Sequence, residues 1–272
     1  MSDSVNLQLK KFDPRKMEDD RVCLFIGKRN TGKSYLVRDI MYHKKHIPTG
    51  IVQSGTEEGN GFYGQFVPDL FIYSDYDKEA IDRLMDRQRK MIKSGKTKKQ
   101  AASFLLLDDC MYDNKFLKET TMRQIFYNGR HWGILFMLCM QYCMDMPPAL
   151  RANIDYVFIL RENIVANREK LWKNFFGIFP TFDLFNKTMD ACTENFECLV
   201  LDNTVKSNKI SDCVFWYKAK YPPPKFRVGS PAYWNLHKKM YNPKYDSMGA
   251  TSSQAIKKAT KKTGFTVTKS SR

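Results

Sequence analysis

Gly27-Lys28-Arg29-Asn30-Thr31-Gly32-Lys33-Ser34 is the stretch that decides the fold. It has the form GxxxxGK[ST], a phosphate-binding loop. It follows residues 21–26 (RVCLFI), which read as a short buried strand, and leads into residues 33–42, which carry helical spacing. Glycine at 27 and 32 lets the backbone curl so that successive N–H groups point inward at phosphate oxygens. The following helix offers unpaired donors and the positive end of its dipole. Lys33 is placed for the β- and γ-phosphates and the Ser34 hydroxyl for Mg²⁺. The candidate nucleotide-binding residues are therefore Gly27, Lys28, Arg29, Asn30, Thr31, Gly32, Lys33 and Ser34, with Tyr35 next in the helix.

About 75 positions beyond Lys33 stands Phe104-Leu105-Leu106-Leu107-Asp108-Asp109. Four apolar residues make a buried strand and deliver an acid to its C-terminal end, the edge where open α/β sheets bind ligands. Asp108 suits a Mg²⁺ ligand, directly or through water, and Asp109 suits orienting or deprotonating the attacking water. Residues 133–140 (GILFMLCM) form another buried strand, closed by Gln141, a polar group able to sit beside a γ-phosphate. Arg130 just before that strand and Arg151 just after it are candidates for an arginine supplied in trans to a neighbouring subunit's nucleotide, Arg130 being the first choice. The catalytic candidates are Lys33, Asp109, Gln141, Arg130 and Arg151; the metal candidates are Ser34 and Asp108; the small molecules are ATP and Mg²⁺.

Outward from these motifs, short apolar runs alternate with helical spacing. Residues 50–53, 70–73, 156–160, 197–201 and 214–217 read as strands; 78–93, 115–127 and 167–176 read as helices; Pro147-Pro148 starts a short turn or helix. Wholly apolar strands alternating with helices mark a parallel sheet covered on both faces. The fold class is α/β, a three-layer phosphate-loop NTPase fold with a mainly parallel central sheet and a disordered basic C-terminal tail. The expected divisions are a charged, irregular lead-in (1–20), the ATPase domain (21–241) and the tail (242–272), whose lysines Lys257, Lys258, Lys261 and Lys262 suit electrostatic grip or a nuclear address.

The 272 residues include 45 Lys and Arg against 29 Asp and Glu, a formal charge of +16, which points to a polyanionic partner. With 43% hydrophobic and 14% aromatic residues the chain buries a real core. No apolar run approaches the roughly 20 residues of a membrane span, and the polar N-terminus is not a secretory signal. Seven cysteines, an odd number with no CxxC, read as free thiols in a reducing compartment. His43-Lys44-Lys45-His46 reads as a solvated helix end. Between residues 83 and 99, eight basic residues (Arg83, Arg87, Arg89, Lys90, Lys93, Lys96, Lys98, Lys99) face one acid, Asp86, a polarity suited to sequence-independent phosphate contacts. Tyr221-Pro-Pro-Pro224 and Trp234 read as a stiff arm against a neighbouring subunit. A GTP-dependent switch would need NKxD, but Asn186-Lys187-Thr188-Met189-Asp190 has one residue too many. A small-molecule phosphotransferase leaves the charge unexplained.

GKRNTGKS after an apolar strand, LLLDD, Gly129-Arg130-His131 before the next strand, Gln141, and Pro147-x3-Arg151-x-Asn153 together resemble the poxvirus-type genome-packaging ATPases of large nucleocytoplasmic DNA viruses, within the FtsK–HerA superfamily. The resemblance covers roughly residues 20–220. It implies a homo-oligomeric ring that drives double-stranded DNA into a capsid using ATP, with capsid or inner-membrane virion proteins as partners, in the virion or at the viral assembly site in the host cytoplasm. A DNA helicase or another nucleic-acid-stimulated ATPase is the alternative. Asp109 stands where the wider superfamily usually has Glu.

Overall fold

Strands made only of apolar side chains have no face to offer water, and here they are covered on both sides. The computed structural model describes residues 7–109, 114–142 and 146–242. Its strands are β1 (Lys10–Lys11), β2 (Val22–Ile26), β3 (Gly50–Ser54), β4 (Ile72–Tyr73), β5 (Ser103–Asp108), β6 (Ile134–Met140), β7 (Tyr156–Ile159), β8 (Glu197–Asp202) and β9 (Val214–Lys218). They form one sheet in the order β1-β9-β8-β7-β2-β6-β5-β3-β4. From β7 through β4 every pairing is parallel; β8 runs antiparallel to both its neighbours. The six longest described helices are α1 (Lys33–His43), α2 (Lys78–Lys93), α3 (Thr120–Asn128), α4 (Val165–Asn174), α5 (Phe182–Cys192) and α6 (Pro231–Met240).

The period-2 alternation of strand side chains splits the core in two. Leu24, Leu105, Leu107, Phe136 and Leu138 point to one face, where α2, α3 and α5 bring Ile81, Met122, Ile125 and Phe185. Phe25, Phe104, Leu106, Leu135 and Met137 point to the other, where α1 brings Leu36, Val37, Ile40 and Met41. Phe25 stacks on Phe158 at 4.6 Å between ring centres. The start of α2 is pinned to the sheet: the buried Gln53 amide donates to the Asp77 carbonyl (2.8 Å) and accepts the Asp77 N–H (3.1 Å), and the Asp77 carboxylate caps Ala80 N–H (2.9 Å).

Several elements differ from their sequence reading. In the stretch read as an irregular lead-in, Lys10–Lys11 add an edge strand parallel to β9, and Phe12 and Met17 enter the core. The expected strand 70–73 begins as a 3-10 turn (Asp69–Phe71), and only Ile72 and Tyr73 pair with β3. The expected helix 115–127 is broken at Glu119, which is extended (φ −67°, ψ 147°) and whose carboxylate accepts the Tyr76 hydroxyl at 2.9 Å. The HKKH end of α1 is not uniformly solvated: Lys44 is buried, donating to the Met17 carbonyl and to Asp19. Trp234 is no free arm residue either. It lies on α6, its indole donates to the Val228 carbonyl (2.8 Å), and Arg227 stacks over its ring. The tail lysines, Cys110 and Cys143 lie outside the described residues, and the other five cysteines are free thiols. Among the described residues no helix is long and apolar enough to cross a membrane.

Candidate nucleotide site

The phosphate loop is shaped by contacts that leave most of its amides without a partner among the described residues. Gly27 N–H donates to the Met140 carbonyl (3.1 Å), continuing the β2–β6 pairing one residue past the strand. A Cβ at Gly27 would stand 2.7 Å from Thr31 Oγ1 and 2.9 Å from Leu160, so only glycine fits. Thr31 Oγ1 donates back to the Lys28 carbonyl (2.7 Å) and closes the curl. Gly32, at φ +91°, is the N-cap of α1 and brings no side-chain acceptor to the helix N-terminus. The first donors of α1 are therefore available to an anion. Lys28 is tied to Glu162, whose carboxylate also accepts Ile164 N–H (2.8 Å) and the Asn167 amide (3.1 Å), fixing the loop against the chain that leaves β7.

The acids arrive from two strands away. β6 lies between β2 and β5, with Asp108 opposite Cys139, so Lys33 reaches back across about 10 Å of sheet. Its ammonium sits 3.0 Å from Asp109 Oδ1 and 3.7 Å from Asp108 Oδ1. Asp109 has φ +47°, a left-handed turn at the strand end that carries its carboxylate toward Lys33. Tyr63 donates its hydroxyl to Asp108 Oδ2 at 2.6 Å, while Asp108 Oδ1 is buried and accepts no hydrogen bond from the described residues. Burial pushes the Asp108 carboxyl upward; Lys33 and Tyr63 oppose this without cancelling it. Burial pulls the Lys33 ammonium down, but Cys139, Asp108 and Asp109 beside it leave its pKa raised. An orphaned carboxylate oxygen and the Ser34 hydroxyl on one cleft are hard oxygen donors of the kind Mg²⁺ takes, so these residues fit the ion. The cleft is open, about 580 Å³, and is lined by Lys28–Asn30, Gly32–Tyr35, Asp108 and Asp109.

Sequence reasoning missed part of this wall. Thr56, Phe62, Tyr63 and Phe196 also line the cleft. Phe196 is 67% exposed, sits at φ +64° and lies over Gly32. Tyr35 meets Phe62 edge-on at 5.7 Å. No motif announces these residues; an apolar aromatic followed by a polar strand start at 196–197 is the only trace. Gln141 is at the same sheet edge but lines a narrower crevice beside Gly27, together with Arg161 and Glu162. Arg161 leaves β7 at this edge, exposed, with no ion-pair partner among the described residues.

The two arginines read from sequence are placed elsewhere. Arg151 donates to the Met146 carbonyl (3.2 Å). Arg130 precedes β6, at the edge opposite the phosphate loop, and is ion-paired with Asp155, whose other oxygen accepts Val22 N–H at 2.9 Å. Burial pushes the Asp155 carboxyl up, against the pull of the Val22 N–H and Arg130. Arg130→Ala is expected to cost about 1–2 kcal/mol, because Arg130 is half exposed and partly screened while Asp155 is buried. Tm by differential scanning fluorimetry should fall by roughly 2–8 °C. An unchanged Tm with lost DNA-stimulated turnover would contradict a structural role and favour one in trans.

No protein-family model matches the chain. It is 38% identical over 245 residues to an uncharacterized protein of Acanthamoeba polyphaga mimivirus, covering 88% of this chain and 86% of that one. It is 41% identical over 197 residues to an uncharacterized protein of Invertebrate iridescent virus 3, covering 72% and 74%. The chain belongs to this family of large-DNA-virus proteins. Its fold is that of the DNA-packaging ATPase of Sulfolobus turreted icosahedral virus (TM-score 0.54, 18% identity, 75% of this chain and all of that one). The genome packaging NTPase of Sulfolobus turreted icosahedral virus 2, solved with ATP-γS, superposes equally well (TM-score 0.54, 16% identity, 74% and 98%). The viral family and the packaging-ATPase fold both agree with the resemblance carried by the motifs.

Proposed function

We propose that this protein is an ATP-hydrolysing motor that moves double-stranded DNA, packaging a viral genome into its capsid. The observation that carries the reading is the meeting of Lys33, Asp108 and Asp109 on one cleft at the mouth of the phosphate loop. A triphosphate seated on residues 27–34 draws the Lys33 ammonium from Asp109 onto the β- and γ-phosphates. Asp109, freed of that cation, faces the attacking water as orienting group and base. Bound Mg²⁺, held by Ser34 and Asp108, would supply further neutralisation of phosphate charge. Gln141, beside Gly27, reports the state of the γ-phosphate to β6 and β7. Arg161, exposed at this edge with no ion-pair partner among the described residues, suits the arginine acting in trans better than Arg130 or Arg151, which are engaged within the subunit.

The viral relatives and the packaging neighbours support DNA as the partner, and so does the stretch 83–99, on α2 and the segment after it. Of its basic run, Arg89 is held by Asp86, Gln124 and the Trp132 ring, and Lys98 by Asp20. Lys90, Lys93, Lys96 and Lys99 are exposed with no ion-pair partner among the described residues. Such lysines neutralise phosphates without reading bases, as a translocating motor requires. Replacing Lys90, Lys93 and Lys96 by alanine is expected to raise the duplex concentration for half-maximal ATPase stimulation and to shallow the log–log salt slope by about 2–3. An unchanged slope would remove the stretch 90–96 from the DNA path. In this reading the subunits form a ring at the viral assembly site or in the virion, docking on capsid or membrane proteins. A strand-displacement assay tests the helicase alternative: a packaging motor moves on the duplex without separating its strands.

A further inference from the structure

We propose that Tyr63 is a positioning residue for the metal: by holding one oxygen of Asp108, it turns the other toward the cation that accompanies the nucleotide. The inference rests on the nucleotide reading above. Asp108 ends β5 inside the sheet edge, 2% exposed, with Lys33, Tyr63 and Cys139 around its carboxylate. Left to itself, the carboxylate plane could turn about the Cβ–Cγ bond and aim neither oxygen at the cation. The Tyr63 hydroxyl, 2.6 Å from Oδ2, removes that freedom and leaves Oδ1 as the orphaned acceptor, on the side of Lys33. A carboxylate fixed through one oxygen offers the other in a set direction, which is how outer partners orient metal ligands.

Tyr63 is itself held fast, which a positioning role requires. It belongs to the short segment between β3 and β4. The Glu57 carboxylate accepts the Tyr63 and Gly64 N–H groups at 3.0 and 2.8 Å. Two residues on, Gln65 Oε1 accepts from Arg38 of α1 at 2.7 Å. The Tyr63 ring, 1% exposed, meets Phe62 and Phe66 edge-on at 5.2 and 5.8 Å. The segment thus bridges the helix that follows the phosphate loop and the acid that ends β5. The hydroxyl is the only atom through which Tyr63 touches Asp108 by a hydrogen bond, so its removal isolates the effect.

The test is Tyr63→Phe, which keeps the ring. Mn²⁺ binding is measured by electron paramagnetic resonance on full-length protein carrying a non-hydrolysable ATP analogue. Binding of the same analogue is measured in EDTA, and Tm is recorded. The expected result is Mn²⁺ affinity weakened roughly 10–100-fold, unchanged analogue affinity without metal, and a parallel rise in the Mg²⁺ concentration for half-maximal ATPase. In Asp108→Asn, adding Tyr63→Phe should weaken Mn²⁺ no further, because the ligand Tyr63 orients is already gone. Wild-type Mn²⁺ affinity in Tyr63→Phe, or full additivity with Asp108→Asn, overturns the inference alone. A wild-type protein that binds no analogue at all overturns the nucleotide reading, and this inference with it.

Discussion

Lys33→Ala is expected to lower ATP turnover by roughly 10³-fold, about 4 kcal/mol of transition-state stabilisation. The Lys33 ammonium is 6% exposed, and its pKa stays raised because Cys139 and the two acids outweigh burial. It is the cation that α1 places between the curl at 27–32 and the carboxylates of Asp108 and Asp109. A charge preorganised in a nearly dry site acts strongly on phosphate oxygens, since little solvent must be displaced for it to do so. Removing it also leaves two carboxylates facing each other without their shared cation, and a loss of about 1–3 kcal/mol in stability accompanies the loss of turnover. Tm and turnover are therefore read on the same preparation. A folded Lys33→Ala protein that hydrolyses ATP at the normal rate would show that the loop does not grip the triphosphate.

Asp109→Asn carries the second large effect. Turnover is expected to fall by roughly 10²–10³-fold, within the range of a lost general base, while a non-hydrolysable analogue binds at least as tightly as before. The reason lies in the backbone as much as in the carboxylate. At φ +47°, Asp109 occupies a region that Asn and Asp tolerate better than most residues, so asparagine keeps the turn and removes only the charge. The left-handed turn also brings this short side chain to within 3.0 Å of the Lys33 ammonium. Single-turnover hydrolysis set beside equilibrium binding of the analogue separates the two quantities. Equal loss in both would make Asp109 a binding residue instead.

The parts of the fold legible in the sequence were those set by local rules. Strands β2, β6 and β7 are uninterrupted apolar runs, and β5 carries one between Ser103 and Asp108, the acid that ends it. Helix α2 matched its spacing end to end, because Asp77 caps it and Ile81, Leu84 and Met85 form one face. Contacts between distant residues were not legible. The edge strand Lys10–Lys11 has no apolar pattern; it exists because β9 offers a free edge. Helix α5 is not legible because Asn186, Thr188 and Asp190 dilute its pattern, although Phe182, Phe185 and Met189 keep the helical interval and Thr181 caps it. The break at Glu119 follows from a hydroxyl on Tyr76, 43 positions away.

The site divides along the same line. Residues 27–34 and the two acids announce themselves by type and spacing, since phosphate binding needs a flexible curl and metal binding needs acids at a strand end. Tyr63 carries no such signal: its contact with Asp108 spans 45 positions and depends on a segment anchored by Glu57 and Gln65. Arg130 has a partner that its sequence position does not announce. Its place beside a strand suggested reach toward a neighbour, but the adjacent strand brings Asp155 to it.

The most direct measurement is the rate of ATP hydrolysis by the full-length protein with Mg²⁺, recorded with and without long duplex DNA. Hydrolysis that requires Mg²⁺ and rises several-fold on addition of duplex is the expected result. No hydrolysis under either condition, in protein whose assembly state is established by light scattering, would contradict the motor reading at its foundation.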